Sequence, residues 1–425
     1  MVSDELIRQH VQDRVEDLAL HRSRFPELTD EDWRFFLQQI EGYQRTKDKL
    51  PLFAHSLEDA ALQDGSKAAY SLEGKSWWYP PRLSCEQCSS EATARYKAQL
   101  TASLNSKFKI QHLIDLTGGA GVDTYFMGEN FEMVDYVEQN AELCALARHN
   151  LPSNVTIHNT TAENFLDSPT HQLTDSPIHR FTTIYIDPAR RDKNGGKVFR
   201  LEDCTPNVLG LLPRMQAVAD TIMIKLSPML DITAALRSLG DGWQVHVVAV
   251  KNEVKEVLLL STLSAKRSTL NSICAVDLAE GWRFEFTREE EDNTTCTYSV
   301  DDVQCTMHDD KKLYLYEPSA AILKAGAYKL VGARYGLNKL DVNTHLYVSD
   351  QLINDFPGRV FRINRFTDSP IHRFPDSPTF NVLTRNYVMG AEELKKKLKV
   401  RDGGTQYIIG TRVNGKPTLL MAERC

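Results

Sequence analysis

The chain has 425 residues, which suits two to four domains, and its 42% apolar and 25% charged residues are ordinary for a soluble globular protein. No apolar run approaches the roughly 20 residues that cross a bilayer, and the opening MVSDELIRQHVQDRVEDLAL has no apolar signal core, so neither a membrane span nor an export signal is expected. The formal net charge of −7 means that any nucleic-acid contact must use local basic patches.

Eight cysteines at irregular spacing indicate reduced thiols and a cytoplasmic setting, not a disulfide framework. Cys85 and Cys88 form one CxxC, but no second pair or nearby His completes a site, so no metal is expected. Residues 1–80 read as helical: Leu6, Ile7, Val11, Val15 and Leu18 recur at helical spacing. Trp33, Phe36, Leu37 and Ile40 do so after Thr29, a candidate N-cap with Asp32 three residues on. SWWYPPRL, at 76–83, is a Pro-rich connector.

From 81 to 275, strand-like runs (HLIDLT, MVDYVEQN, NVTIHN, TTIYIDP, TIMIKLSP) alternate with helical ones such as AELCALARHNL and LGLLPRMQAVAD. That alternation predicts a parallel sheet covered on both faces. QVHVVAVKNEVKEVLLLST then predicts an antiparallel pair closing the sheet edge. In 276–340, strands WRFEFT, TCTYSV and KLYLYEP precede a helix, AAILKAGAYKL, as in a small α+β domain. In 341–425, strands HLYVS, RVFRI and TQYIIGTRV with the basic helix EELKKKLKV suggest a second one. TDSPIHRF occurs at 174–181 and again at 367–374, which reads as a short element inserted in two surface loops.

The strongest chemical signal is Asp115-Leu-Thr117-Gly118-Gly119-Ala-Gly121, placed after a strand and before a helix. Glycines let a ligand press against the main chain, and amides at a helix start favour a carboxylate. Glu138 ends the next strand, 19 residues after Gly119, where a βαβ unit presents an acid to both ribose hydroxyls. The nicotinamide fingerprint fits only in part, since Thr124 takes the third glycine position. A leading acid such as Asp115 suits a ligand with an amino group, as S-adenosylmethionine (SAM) has. In TTIYIDPARRD the strand runs into Asp187 and Pro188, at the sheet edge where open α/β folds bind ligands. Arg190, Arg191, Lys193, Lys197 and Arg200 follow; such a run is either a solvated face or a phosphate contact.

These residues resemble bacterial class I SAM-dependent methyltransferases with a C-terminal THUMP-like domain. The likeness runs through QIEGYQRTKDKLP, EQCSSEATARYKA, DLTGGAGVD, IDPARRD, IKLSPMLD, NEVKEVLL and YEPSAAILKAG, in that order. It implies an α/β Rossmann-like class I methyltransferase core at 81–275, a helical region before it, a ferredoxin-like domain at 276–340 and a THUMP-like domain at 341–425. THUMP domains are associated with RNA-modifying enzymes. By position, Asp115, Thr117, Gly118, Gly119 and Gly121 match the SAM loop and Glu138 the ribose acid. Asp187 and Pro188 take the place of the Asp/Asn-Pro-Pro motif of amino-methyltransferases. The chain departs from the pattern at Ala189, where a second Pro is usual, and at Thr160-Thr161, where a Gly-Asp pair touches adenine.

The expected function is N-methylation of a nucleobase in RNA, such as tRNA or rRNA, with SAM as donor and no obligate protein partner. Arg190, Arg191, Lys193, Lys395 and Lys396 are the expected RNA contacts. The alternatives are a small-molecule or protein methyltransferase, active without nucleic acid, and a non-catalytic RNA-binding protein that retains the fold.

Overall fold

The computed structural model describes residues 2–55, 76–105, 111–168, 182–189, 200–262, 271–298, 312–367 and 379–425. The first TDSPIHRF segment, the second one beyond Thr367, and Arg190, Arg191 and Lys193 lie outside them. The chain forms two compact units, Met1–Trp243 with Leu258–Leu270, and Gln244–Val257 with Asn271–Cys425.

In the first unit, Thr29 caps the helix Asp30–Thr46 as expected, its Oγ1 accepting the Asp32 N–H at 3.1 Å. The buried face of that helix, Phe36, Ile40 and Tyr43, joins Phe53, Trp77, Tyr125 and Phe126 in one core. The N-terminal helices therefore pack on the sheet-covering helix Val122–Gly128. Residues 76–80 of the Pro-rich connector form a largely buried strap, and Arg82 and Leu83 form the exposed start of the helix Arg82–Gln87. Trp77 stacks on Phe53 with centroids 3.8 Å apart, and Trp78 stacks on His149 at 3.6 Å. The Asn150 amide clamps the Trp78 main chain, accepting from its N–H and donating to its carbonyl, both at 2.8 Å.

The strands β1 (His112–Asp115), β2 (Met133–Glu138), β3 (Val155–Asn159), β4 (Thr182–Ile186) and β5 (Thr221–Leu226) follow. After β6 (Gln244–Val250) comes β7 (Glu253–Thr262). The order in this unit is β3-β2-β1-β4-β5-β7. The pairs β1–β2, β1–β4, β2–β3 and β4–β5 are all parallel. Parallel strands bring their carboxyl ends to one edge, so Asp115, Glu138 and Asp187 come together although 72 residues separate the first from the last.

In the second unit, Lys251 and Asn252, at φ 53° and 61°, join β6 to the start of β7 in a two-residue turn. The buried Asp277 carboxylate accepts both of their N–H groups, at 3.1 and 2.6 Å, and the Asn252 Oδ1 accepts the Ala320 N–H at 2.8 Å. Asn252 of NEVKEVLL and Ala320 of YEPSAA are thus tied to each other. The antiparallel pair expected to close the sheet does not end it: β8 (Ser272–Asp277) pairs parallel with β6, and β9 (Trp282–Thr287) antiparallel with β8.

A separate seven-stranded sheet has the order β11-β12-β10-β13-β16-β15-β14. Its strands are β10 (Leu313–Pro318), β11 (Asn338–Asp341), β12 (Thr344–Ser349), β13 (Gly358–Thr367), β14 (Asn381–Thr384), β15 (Gln406–Val413) and β16 (Lys416–Arg424). Leu315, Leu346, Phe361, Ile409 and Leu420 form one core. Phe380, Leu394, Leu398, Ile408 and Leu419 form a second with the basic helix, observed as Ala391–Leu398. AAILKAGAYKL is not one helix: Ala320–Ala325 stops at Gly326, in the left-handed region at φ 83°, and Leu330–Arg334 begins anew. Of TCTYSV, only Tyr298 makes a β-bridge, to Lys339, within the described residues.

Candidate active site

The site is built on the carboxyl ends of β1, β2, β4 and β5. β1 ends in Asp115, which is 1% exposed. Its Oδ1 accepts the Thr117 N–H at 3.0 Å and its Oδ2 accepts the Thr124 hydroxyl at 2.6 Å. Burial pushes the Asp115 pKa up to about 7, against the pull of those hydrogen bonds. Asp115 therefore holds the loop in shape from beneath.

Gly118 donates to the Val137 carbonyl at 2.9 Å, and a Cβ there would fall 2.1 Å from the Tyr136 ring. Only glycine lets the loop lie this close on β2. Gly119 and Gly121, at φ 54° and 79°, turn the chain into the helix Val122–Gly128. The 19-residue separation between Gly119 and Glu138 is closed by a direct contact: Glu138 Oε2 accepts the Gly119 N–H at 3.0 Å. Its Oε1 accepts the Asn140 N–H at 2.8 Å, and the Asn140 side chain caps the next helix, Ala141–Asn150.

Asp187 follows β4, and its main-chain N–H donates to Thr117 Oγ1 at 2.7 Å. The Asp187 side chain is 36% exposed and Pro188 is buried. Ala189, where a second Pro was expected, uses its own N–H: it pairs with Thr205 through two main-chain hydrogen bonds, of 2.8 and 3.0 Å. A proline would lose the first of these. Thr161 caps the helix Ala162–Asp167 through its hydroxyl, so its position is explained by the backbone.

The sequence reading missed Lys225 of β5, whose Nζ lies 2.5 Å from Asp187 Oδ2. A lysine in the otherwise apolar run TIMIKL was the available signal. The reading also missed Asp123, Lys97, Ser89 and Tyr185, a polar cluster beneath the glycine loop. Cys85 and Cys88 donate to the main-chain carbonyls of Pro80 and Cys85, and burial pushes the Cys85 thiol up to about 12.

Among the expected RNA contacts, Lys396 is exposed, whereas Lys395 is 17% exposed and paired with Glu392 at 2.7 Å and Asp402 at 2.5 Å. Arg385, in the same basic stretch, pairs with the buried Glu317 at 2.6 Å. Lys395 thus faces two carboxylates, whereas Arg385 shares Glu317 with Arg359, which lies 2.6 Å from it. No described helix is long and apolar enough to cross a membrane.

Known proteins agree with this architecture. Residues 314–357 match a family model described as a ferredoxin-like domain, and residues 371–424 match one described as THUMP domain-like. A provisionally assigned methyltransferase from Porphyromonas gingivalis W83, known from a crystal structure, superposes with a TM-score of 0.76 at 28% identity, over 99% of this chain and 97% of that one. Two uncharacterised S-adenosylmethionine-dependent methyltransferases from Mycobacterium tuberculosis strains are each 23% identical over 344 residues, covering 80% of this chain and 86% of theirs. The chain is a class I SAM-dependent methyltransferase with ferredoxin-like and THUMP-like parts toward its C-terminus.

The residues present fit SAM. A Cβ at Gly119 would meet only the Thr117 carbonyl oxygen, at 3.6 Å, so the main chain there is open to a ligand. The Glu138 carboxylate beside it is already oriented by two N–H groups.

Proposed function

We propose that this methyltransferase N-methylates a nucleobase in RNA. Thr117, Gly118, Gly119 and Gly121 form the main-chain wall of the SAM site, Glu138 takes the ribose hydroxyls, and Asp115 supports the loop near the donor's amino group. SAM supplies a methyl group already activated on a sulfonium. What the chain adds is position and electrostatics. Asp187 accepts a hydrogen bond from the acceptor's exocyclic amine, localising a lone pair that the ring otherwise delocalises. Pro188 stiffens the turn that carries it. Methyl transfer leaves S-adenosylhomocysteine, whose sulfur keeps the bonding pair, and the methylated nitrogen gives its N–H proton to the Asp187 carboxylate, which passes it to water.

The observation that carries this reading is the 2.7 Å hydrogen bond from the Asp187 N–H to Thr117 Oγ1. It holds the turn that carries Asp187 against the glycine loop, which supports a role for this acid beside the donor. RNA as the substrate class is supported by the THUMP-like match and by exposed Lys396, Lys397 and Lys399 on and just after the helix Ala391–Leu398. Arg190, Arg191 and Lys193 add a basic run immediately after Asp187 and Pro188 in sequence.

The test is mass spectrometry of modified nucleosides in RNA from a strain lacking the gene. One methylated nucleoside should be missing there and return with the wild-type gene. RNA binding by the full-length protein should fall with salt, with a slope of about −0.7 to −0.9 per phosphate contact. Lys396→Glu with Lys397→Glu should weaken binding across many RNA sequences, because phosphate contacts position and do not specify. An unchanged nucleoside profile, with methyl transfer to a small molecule or protein, would remove the RNA reading.

A further inference from the structure

The acid after β4 does not stand alone. Lys225 Nζ lies 2.5 Å from Asp187 Oδ2, and the lysine side chain is 13% exposed. Behind it, Lys97, at 0% exposure, places Nζ 3.2 Å from Asp123 Oδ1. The Ser89 hydroxyl and the Tyr185 hydroxyl donate to Asp123 Oδ2, at 2.8 and 2.7 Å. Lys97 also donates to Ser89 Oγ at 3.2 Å, which closes the cluster. Burial would raise the Asp123 pKa, but Lys97 and Lys225, helped by Tyr185 and Ser89, hold it below the usual carboxylate range. Lys225 thus answers to two carboxylates, one buried and one facing out.

Such a cluster contributes little as a stabiliser, because well-packed apolar residues often do as well in its place. Its parts come from the segment before β1, the helix after the glycine loop, β4 and β5: Lys97, Ser89 and Tyr185 meet at Asp123, and Lys225, whose charge also acts on Asp123, reaches Asp187. Lys225 is therefore the member of the cluster that reaches the acid beside the glycine loop. We infer that Lys225 is a positioning residue for methyl transfer: it fixes Asp187 Oδ2 so that Oδ1 faces the acceptor, and Asp123 with Lys97 steadies the ammonium from behind. The inference rests on the reading that Asp187 serves the acceptor.

The test gives methyl-labelled SAM and an extract of a strain lacking the gene to full-length wild type, Lys225→Met, Lys225→Arg, Asp187→Asn and the double variant Lys225→Met/Asp187→Asn. Label is counted separately in RNA, protein and small molecules, and SAM affinity is measured by calorimetry. Lys225→Met should bind SAM normally yet transfer methyl roughly ten- to a hundredfold more slowly, the range spanned by a lost charge-assisted hydrogen bond. Lys225→Arg should recover most of the rate. The double variant should be no slower than Asp187→Asn, since two residues acting as one unit are not additive. Lys225→Gln, which keeps a donor without the charge, covers the case in which Lys225→Met does not fold. A wild-type rate in Lys225→Met, or losses that add in the double variant, overturns the inference. Label appearing in protein or small molecules instead of RNA removes the RNA reading, and the same rate ratios in that fraction then decide the role of Lys225. No label in any fraction from the wild type overturns both.

Discussion

Glu138→Ala is the most informative change to the donor side. The carboxylate has two ties within the chain, Gly119 N–H at 3.0 Å and Asn140 N–H at 2.8 Å, and it is the group proposed to take the ribose hydroxyls. Removing it takes away the ribose contact and the hydrogen bond that fixes Gly119 in its left-handed conformation. A hydrogen bond to a charged group contributes about 1.5–3 kcal/mol, so losing the ribose contact alone weakens SAM binding at least roughly tenfold. Glu138→Gln is not a silent control, because an amide accepts at one end only. However it is flipped, its NH2 faces either the Gly119 N–H or the Asn140 N–H, donor against donor. It should therefore also bind SAM more weakly than wild type. The assay is titration calorimetry with SAM and with S-adenosylhomocysteine, and circular dichroism establishes that each variant is folded. Wild-type affinity in a folded Glu138→Ala protein would remove Glu138 from the donor site.

Three further outcomes are expected. Asp187→Ala should keep SAM affinity within a few-fold and lose methyl transfer by roughly a hundredfold or more; turnover near the wild-type rate on the true substrate would leave Asp187 without a catalytic role. Gly118→Ala puts a Cβ 2.1 Å from the Tyr136 ring and should destabilise the protein by about 1–3 kcal/mol, the usual range for overpacking; an unchanged denaturation midpoint would show that the loop does not depend on this contact. Asp115 has its folded pKa raised to about 7 from an ordinary 3.8, so the folded state binds the extra proton in that window. Its contribution to stability is full below the unfolded pKa and is lost as pH rises toward about 7, with a slope of up to about 1.4 kcal/mol per pH unit. Asp115→Asn should flatten that slope in urea melts from pH 4 to 8, and an unaltered slope would show that Asp115 does not titrate there.

The geometry of the glycine loop and its flanking acids was legible because it is written locally. A strand, a glycine loop and an acid at the end of the next strand are fixed by backbone geometry, and Asp115, Gly119 and Glu138 fall where that logic puts them. The cluster around Lys225 was not legible. Lys97, Asp123 and Lys225 lie on different elements, and only the folded sheet turns isolated charged residues into paired ones. The surface reading was incomplete in the opposite direction. The basic stretch 385–401 counts cations by sequence neighbourhood, but Glu317, from a strand about 70 residues earlier, reaches Arg385, and Asp402 reaches Lys395. The strands not anticipated include the short edge strands β11 and β14, but also β8 and the nine-residue β16, both interior to their sheets.

Thr117 has a place that neither half of the motif announces. Its N–H serves Asp115, under the donor loop, while its hydroxyl oxygen accepts the Asp187 N–H from the acceptor side. One residue therefore sets the spacing between the two halves of the site. The Asp187 side of this link is a main-chain N–H on a hydroxyl oxygen, so it does not depend on the ionisation of the Asp187 carboxylate. Asp187 also reaches Lys225, and through it the Asp123 cluster, whose Ser89 and Lys97 come from the segment before β1. Positional error in a methyl transfer is costly because the acceptor must meet the sulfonium methyl in line. A turn held on one side by the glycine loop and on the other by a buried ion-pair cluster has little freedom to drift. That arrangement is what a catalyst working by placement requires, and it accounts for polar residues kept at 0–13% exposure where apolar ones would pack as well.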